Sequence, residues 1–195
     1  MNLALIFAGG TGTRMNSKTK PKQFLELNGK PIIIHTIELF ESHPEIDAIA
    51  VVCLESWIGY LNELLERFRI KKVKYVVPGG ETGQQSIRNG LTAFWDDQDI
   101  PRDSLVLIHD GVRPLINEDI ITRSIECAKQ YGNAITVTPA IETIITVSED
   151  DSVDQIMDRS KCRMARAPQT FRLCDIVEAH NKAITDGALN MIDSA

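Results

Sequence analysis

Short, mostly apolar runs alternate with amphipathic segments along most of the chain. Five such runs occur, at residues 3–8, 48–54, 73–77, 105–108 and 134–138. Runs of this length and character are typical of strands buried on both faces of a parallel sheet. The segments between them carry apolar residues at helical spacing, and Asn117 and Gly132 are typical of a helix start and a helix stop. The pattern predicts an α/β fold with a doubly wound, mostly parallel sheet.

The pattern changes after the fifth run. Residues 142–147 and 153–158 each form a short strand-like stretch, and a polar turn at 148–152 separates them. This predicts a β-hairpin arm at about 140–165 that protrudes from the α/β body. Because a lone two-stranded hairpin is marginal in water, we expect the arm to pack on a second subunit, which makes the protein a homodimer. Residues 167–171 predict an extended segment.

A glycine-rich loop follows the first apolar run, with three glycines in four positions, Gly9, Gly10 and Gly12. Glycine lets backbone N–H groups approach a ligand closely, and successive N–H groups can form a concavity that binds anions. The loop lacks the GxxxxGK[ST] spacing of a P-loop. It also lacks the third glycine of a GxGxxG dinucleotide site, because Met15 occupies that position.

Basic residues accumulate after this loop. Arg14, Lys18, Lys20, Lys22 and Lys30 place five positive charges within seventeen residues, whereas the whole chain has a net charge of −6. Cations beside a glycine loop, within an acidic protein, indicate a phosphate-binding site. An ordinary strand–turn–helix connection is the alternative for this loop.

Two further strand ends carry candidate site residues. Residues 78–83 form a second glycine-rich turn before a helix opened by residues 84–86, which is either a backbone-lined pocket or a plain loop. The fourth apolar run leads to Asp110, with Arg113 three residues later, which is either a functional pair or a structural ion pair. A basic run at 159–166 is either a second anion site or a solvated face.

Length and composition bound the class of protein. At 195 residues we expect one domain, spanning 1–195. The net charge of −6 argues against nonspecific nucleic-acid binding. No apolar run approaches the roughly 20 residues of a membrane span, and the first run is too short for a signal peptide, so we expect a cytoplasmic protein that does not bind membranes. The four cysteines are widely spaced without a CxxC pair, which disfavours a zinc site or a disulfide framework.

The two glycine loops and the Asp110 turn all follow strands, so they can meet at one edge of the predicted sheet. Together they offer a phosphate cradle, a polar pocket, an acid and fixed cations, without a Ser-His-Asp or activated-cysteine pattern. This combination suits phosphoryl-type transfer, because a phosphate oxygen that is already charged at neutral pH needs no general base. Mg²⁺ fits that chemistry, held mainly by phosphate oxygens, with Asp110 as a candidate protein ligand.

Five motifs occur in order along the chain: AGGTGTRM, PKQF, GGETGQQS, HDGVRP and APQTF. In this combination the whole chain resembles the polyol-phosphate cytidylyltransferases, a family that includes the ribitol-5-phosphate and 2-C-methylerythritol-4-phosphate enzymes. The resemblance implies a Rossmann-like nucleotidyltransferase fold. It also implies transfer of CMP from CTP to a sugar-alcohol phosphate with release of pyrophosphate. The form of the first loop and the PKQF motif favour ribitol 5-phosphate as the acceptor.

The resemblance implies roles for individual residues as well. The CTP triphosphate would be wrapped by Ala8, Gly9, Gly10, Thr11, Gly12 and Thr13. Arg14 and Lys22 would stabilise the pentacoordinate transition state. Cytosine and ribose would be recognised by Gly80, Glu81, Thr82, Gly83, Gln84, Gln85 and Ser86. Asp110 and Gly111 would also contact CTP. The polyol phosphate would be bound by Arg113, Thr143 and Arg159, the last two across a dimer interface.

The chain departs from this resemblance in three respects. Relatives commonly have Ala or Ser where Gly111 stands and Thr where Ala167 stands, which keeps the methylerythritol enzymes as an alternative. Relatives also continue past the region of Asp193 with a strand and a helix that carry a second lysine, and we expect that segment to be missing here. A catalytically silent nucleotide-binding module is therefore a further alternative. A nucleotidyltransferase for a hexose 1-phosphate is another.

Overall fold

A computed structural model of the chain describes residues 1–9 and 20–187. Its strands are β1 (Asn2–Ala8), β2 (Glu26–Leu27), β3 (Lys30–Pro31), β4 (Ala48–Cys53), β5 (Val73–Pro78), β6 (Leu105–Asp110), β7 (Asn133–Pro139), β8 (Ile145–Val147), β9 (Val153–Ile156) and β10 (Arg163–Arg172). Its α-helices are α1 (Ile32–Ser42), α2 (Ile58–Arg67), α3 (Gly83–Trp95), α4 (Glu118–Tyr131) and α5 (Leu173–Thr185). Short 3₁₀ turns occur at Lys22–Phe24, Glu55–Trp57 and Arg159–Lys161. All five apolar runs are strands, as predicted.

The central sheet has six strands in the order β5-β4-β1-β6-β10-β7. Strands β5, β4, β1 and β6 are mutually parallel, which confirms the mostly parallel, doubly wound sheet. Strand β10 is antiparallel to both of its neighbours, β6 and β7. The expected extended segment at 167–171 is therefore part of a sheet strand. It lies between β6 and β7, which are the fourth and fifth predicted strands. Buried hydroxyls help to hold it, because Ser124 Oγ of α4 lies 2.7 Å from Thr170 Oγ1.

Helices cover both faces of the sheet. One apolar cluster joins the sheet to α1, α2 and α4, and the other joins it to α3 and α5. Successive residues of β1 alternate between them, since Ala4 and Ile6 belong to the first cluster and Leu3 and Leu5 to the second. Burial on both faces explains why β1, β4 and β6 read as unbroken apolar runs.

Helix α3 lies unusually close to the sheet at Gly90. A Cβ atom at this position would lie 2.8 Å from Leu5 Cδ1 and 2.9 Å from Val52 Cγ2. Both neighbours are fully buried, so glycine is what allows this approach. The approach matters for the site, because the amino end of α3 carries the second glycine loop.

Strands β8 and β9 pair antiparallel and form a separate two-stranded sheet. Every residue of both strands is exposed, including Val153 and Ile156. The predicted hairpin arm is confirmed, and no described part of its own chain covers it. Among residues 1–9 and 20–187, no helix is both long enough and apolar enough to cross a membrane.

Candidate active site

The carboxyl ends of the parallel strands are level with one another. Phe7 is paired with Asp110, Ala8 with Cys53, and Cys53 with Pro78. The first glycine loop, the second glycine loop and the Asp110 turn therefore begin at one edge of the sheet, as the sequence predicted.

The two glycine loops touch at their bases. A Cβ atom on Gly79 would lie 3.2 Å from Gly9 Cα, and one on Gly9 would lie 3.0 Å from Ser86 Oγ. Glycine at both positions lets the two backbones meet over the end of β4, where Gly79 N donates to the Cys53 carbonyl at 2.8 Å. The predicted site residues Gly10, Thr11, Gly12, Thr13 and Arg14, with Lys18 and Asp193, lie outside the described residues.

Lys22 differs from the basic residues around it. Lys20 Nζ lies 3.8 Å from Glu26 Oε1, and Lys30 Nζ lies 2.6 Å from Glu38 Oε2. Lys22 has no ion pair or hydrogen bond from its ammonium group within residues 1–9 and 20–187. A half-buried cation of this kind is suited to meet an incoming anion.

The second glycine loop is held by a network at the start of α3. Thr82 Oγ1 accepts from Gln85 N at 3.1 Å, and Gln85 Oε1 accepts in turn from Glu81 N at 2.8 Å. This resembles a capping box, in which residues three apart satisfy each other's helix-end groups. Ser86 Oγ donates to the Thr82 carbonyl at 2.9 Å and accepts from Gly80 N at 3.0 Å.

Gly80 has no room for a side chain in this network. A Cβ atom there would lie 2.3 Å from Gln85 Cβ and 2.9 Å from Gln85 Oε1. Gly83, by contrast, faces open space at the first position of α3. The loop is thus rigid at its base and open at the helix end, where the positive end of the helix dipole favours anionic or polar ligands.

The turn after β6 is built around a buried histidine. His109 is fully buried, and its Nε2 lies 3.0 Å from the Arg113 carbonyl. Burial lowers the pKa of His109 below its ordinary value, so the ring stays neutral at neutral pH. Arg113 then folds back, and its Nε lies 2.5 Å from Asp110 Oδ2. Both charged groups are partly exposed, so they remain accessible to a ligand.

Gly111 packs in the same turn. Its N–H donates to the Phe7 carbonyl at 3.0 Å, and its carbonyl accepts from Thr36 Oγ1 at 3.0 Å. A Cβ atom at Gly111 would lie 2.9 Å from Ala8 Cβ. The absence of the Ala or Ser expected from the resemblance therefore has a local cause: in this backbone, the first glycine loop begins too close to residue 111.

These elements border a cleft with a volume of about 680 Å³. It lies between the amino end of α3, the ends of β1 and β6, strand β10 and helix α5. Predicted site residues in its wall are Gly83, Gln84, Asp110 and Arg113. Polar wall residues that the sequence did not assign to a site are Gln169, His180, Lys182 and Asp186. Burial lowers the pKa of His180, and the nearby positive charge of Arg88 lowers it further.

The basic run after the arm separates into two groups. Arg166 lies in the cleft wall. Arg159 Nη1 instead donates to the Ile141 carbonyl at 2.9 Å, and Arg163 Nη1 donates to the Ser160 carbonyl at 2.9 Å. Arg159 and the exposed Thr143 are not part of the cleft wall of their own chain.

The protein donors for a divalent cation are few. Residues 1–9 and 20–187 contain no group of three or more His, Cys, Asp or Glu side chains that could hold a metal ion. Asp110 alone among the predicted site residues offers a carboxylate in the cleft, and Arg113 contacts one of its oxygens. This donor set fits an ion such as Mg²⁺ that takes most of its ligands from phosphates and water.

The chain is similar to cytidylyltransferases along its whole length. The family model for 2-C-methyl-D-erythritol 4-phosphate cytidylyltransferase (IspD) matches residues 2–195. A ribitol-5-phosphate cytidylyltransferase of Vibrio parahaemolyticus is 56% identical over 194 residues, covering 100% of this chain and 81% of the relative. A 2-C-methyl-D-erythritol 4-phosphate cytidylyltransferase of Clostridium acetobutylicum is 39% identical over 195 residues, covering 100% of this chain and 82% of the relative.

A solved structure agrees with the fold. The 2-C-methyl-D-erythritol 4-phosphate cytidylyltransferase of Francisella tularensis superimposes with a TM-score of 0.80 at 27% identity, covering 100% of this chain and 84% of that one. One conclusion follows from the ordered motifs, the three strand ends that meet at one sheet edge, and the matches that span this chain. The chain belongs to the IspD family of cytidylyltransferases.

Proposed function

We propose that this protein transfers CMP from CTP to D-ribitol 5-phosphate and releases pyrophosphate. The choice of polyol rests on the difference in sequence identity between this chain and two relatives. The Vibrio relative named for ribitol 5-phosphate is 56% identical, whereas the Clostridium relative named for methylerythritol phosphate is 39% identical. A cytoplasmic location is part of the proposal.

The reaction is a displacement at the α-phosphorus of CTP. An oxygen of the polyol phosphate forms a new bond to that phosphorus, and the bond to the oxygen bridging the α- and β-phosphates breaks. The electron pair leaves on pyrophosphate. The attacking phosphate is already an anion at neutral pH, so no side chain has to remove a proton. Catalysis then consists of alignment and charge neutralisation.

We infer that the residues at the sheet edge have separate roles. The loop from Ala8 to Thr13 receives the triphosphate, and Arg14 with Lys22 neutralises charge that develops on the transferring phosphate. The network of residues 80–86 presents backbone groups and the start of α3 to the nucleoside. Lys22 suits its role because no described acidic side chain neutralises it.

Asp110 is the side chain that we propose for Mg²⁺. When bound, the ion would screen the charges of the CTP phosphates and so favour pyrophosphate as a leaving group. Arg113, which contacts Asp110 Oδ2, keeps that carboxylate oriented towards the cleft edge and leaves its own guanidinium partly exposed for the polyol phosphate.

We propose further that the arm forms a homodimer and contributes Thr143 and Arg159 to the site of the partner subunit. The arm exposes several apolar side chains, with Val153 60% and Ile156 69% exposed. Neither Thr143 nor Arg159 is part of the cleft wall of its own chain, which is consistent with action in the partner.

Complementation tests this arrangement. Arg14→Ala and Arg159→Ala should each be inactive alone. If the two residues act in one site from different subunits, mixing the variants with subunit exchange restores about a quarter of the wild-type activity, because half of the dimers are mixed and each has one intact site. No recovery, or sedimentation as a monomer, would exclude the arrangement.

The reaction itself is tested by pyrophosphate release with Mg²⁺ and D-ribitol 5-phosphate, with CTP, UTP and dTTP compared. The proposal expects release with CTP and a product that contains CMP joined to ribitol 5-phosphate. Higher activity with UTP or dTTP would favour a different nucleotidyltransferase. CTP binding without release from any polyol phosphate would favour a silent nucleotide-binding module.

A second candidate acceptor is 2-C-methyl-D-erythritol 4-phosphate. The matching family model carries that name, and Ala167 places no hydroxyl in the cleft wall. The chemistry at phosphorus would be the same, and only the polyol end of the cleft would differ.

A further inference from the structure

Lys22 lies in a short turn that is attached to the body of the protein on both sides. We call residues 20–24 the Lys22 turn. Its backbone is closed by Phe24 N donating to the Pro21 carbonyl at 2.9 Å and Leu25 N donating to the Lys22 carbonyl at 3.2 Å. The turn follows the first glycine loop along the chain.

Gln23 joins this turn to the end of β1. Its side chain is 1% exposed, and Nε2 donates to the Ala8 carbonyl at 2.7 Å. Ala8 is the last residue of β1 and the first of the phosphate loop. A single side chain thus connects the two ends of the loop at its base, directly beside Lys22.

The opposite side of the turn packs on helix α2 and the 3₁₀ turn before it. Phe24 is fully buried and stacks on Trp57 with ring centroids 4.8 Å apart, and it meets the edge of Tyr60 at 5.5 Å. Lys20 Nζ lies 3.2 Å from Tyr60 Oη and 5.0 Å from the centre of its ring. These contacts fix the turn against α2.

We propose that Gln23 is a positioning residue that sets Lys22 relative to Ala8, the end of β1 from which the first glycine loop begins. The inference rests on the proposed function, in which Lys22 neutralises charge in the transition state. A lysine side chain has four rotatable bonds. Its ammonium group is therefore held in one place only if the backbone that carries it is fixed. Displacement of a charge-stabilising group by about 1 Å can cost a hundredfold in rate. The Gln23 amide acts through Lys22 and does not itself touch substrate.

The test is a double-mutant cycle with Gln23→Met and Lys22→Ala. Methionine keeps the length of the side chain but cannot donate to the Ala8 carbonyl. We expect Gln23→Met to lower kcat about tenfold while KM for CTP changes less than threefold, since one buried hydrogen bond and the placement of Lys22 are lost. In the Lys22→Ala background, the same substitution should lower kcat less than twofold.

Gln98→Met is the matched control, because Gln98 is exposed in the connection between α3 and β6, at the other end of the strands. It should leave kcat unchanged. A tenfold loss from Gln23→Met in both backgrounds would show a role independent of Lys22, and an unchanged kcat would show that the hydrogen bond does not matter. Either result overturns the inference.

A second readout does not depend on turnover. Gln23→Met should speed hydrogen exchange at the Phe24 and Leu25 amides at least tenfold, because the turn is released from β1. Unchanged exchange overturns the inference even if the enzyme proves inactive. An inactive wild type with the expected change in exchange would instead count against the proposed function while supporting the placement role.

Discussion

Replacing Gly90 with alanine tests how the packing of α3 supports the nucleotide loop. The added methyl group would meet Leu5 Cδ1 at 2.8 Å, Val52 Cγ2 at 2.9 Å and Leu5 Cγ at 3.0 Å. Leu5 and Val52 are fully buried within the sheet, so they cannot move aside without disturbing their own neighbours. Helix α3 must therefore shift away from the sheet.

Two effects of opposite sign determine how much Gly90→Ala changes the free energy of unfolding. Overpacking a closed core costs about 1–3 kcal/mol. Alanine gains about 1 kcal/mol over glycine inside a helix. With contacts under 3.0 Å to two buried side chains, we place the steric cost in the upper half of its range, for a net loss of about 1–2 kcal/mol. The shift should also move residues 80–86 and lower kcat/KM for CTP.

Urea unfolding measures the first effect, and steady-state kinetics measure the second. Gly59→Ala in α2 is the matched control, because a Cβ atom built there has no neighbour within 4 Å beyond the adjacent residues and the helix's own backbone. It should raise the free energy of unfolding by up to about 1 kcal/mol and leave kcat/KM unchanged. If Gly90→Ala is as stable as the wild type, the close approach of α3 does not constrain the fold as we have argued.

Three further outcomes are expected. Lys22→Ala should lower kcat far more than it weakens CTP binding measured by calorimetry, because the charge it neutralises develops in the transition state; equal turnover would remove Lys22 from the mechanism. The pKa of His180 is lowered by burial, so stability is lost as the pH falls through the ordinary value of 6.5 towards the lower folded pKa, and His180→Leu should flatten that decline in urea unfolding at pH 7 to 5. Burial raises the pKa of Cys53 to about 11, so Cys53 should be the last of the four thiols to react with a disulfide reagent at pH 8, and early modification would contradict its burial.

Much of the fold follows from local sequence signals. Strands β1, β4 and β6 read as apolar runs because both of their faces are covered. The ends of the parallel strands bring Ala8, Pro78 and Asp110 to one edge. The ends of α4 are equally local: Asn117 Oδ1 accepts from Ile120 N at 3.0 Å, and Gly132 has a φ of 91°. These features depend on a few adjacent residues, so the sequence alone predicts them.

The parts that the sequence did not predict depend on distant partners. Strand β10 takes its place from pairing with β6 and β7, and its buried Gln169 and Thr170 do not read as a core strand. In the sequence, His180 and Lys182 look like ordinary helix residues. Only the packing of α5 beside the cleft places them in its wall. Similarly, nothing local distinguishes Arg166, in the cleft wall, from Arg159, which donates to a carbonyl in the arm.

A direct comparison of two acceptors tests which polyol phosphate the protein uses. Purified protein is assayed for pyrophosphate release with CTP and Mg²⁺ against D-ribitol 5-phosphate and 2-C-methyl-D-erythritol 4-phosphate, and the nucleotide product is identified by mass. We expect kcat/KM for ribitol 5-phosphate to exceed that for methylerythritol phosphate by at least a hundredfold, or about 2.7 kcal/mol in transition-state binding. Equal values, or a preference for methylerythritol phosphate, would contradict it.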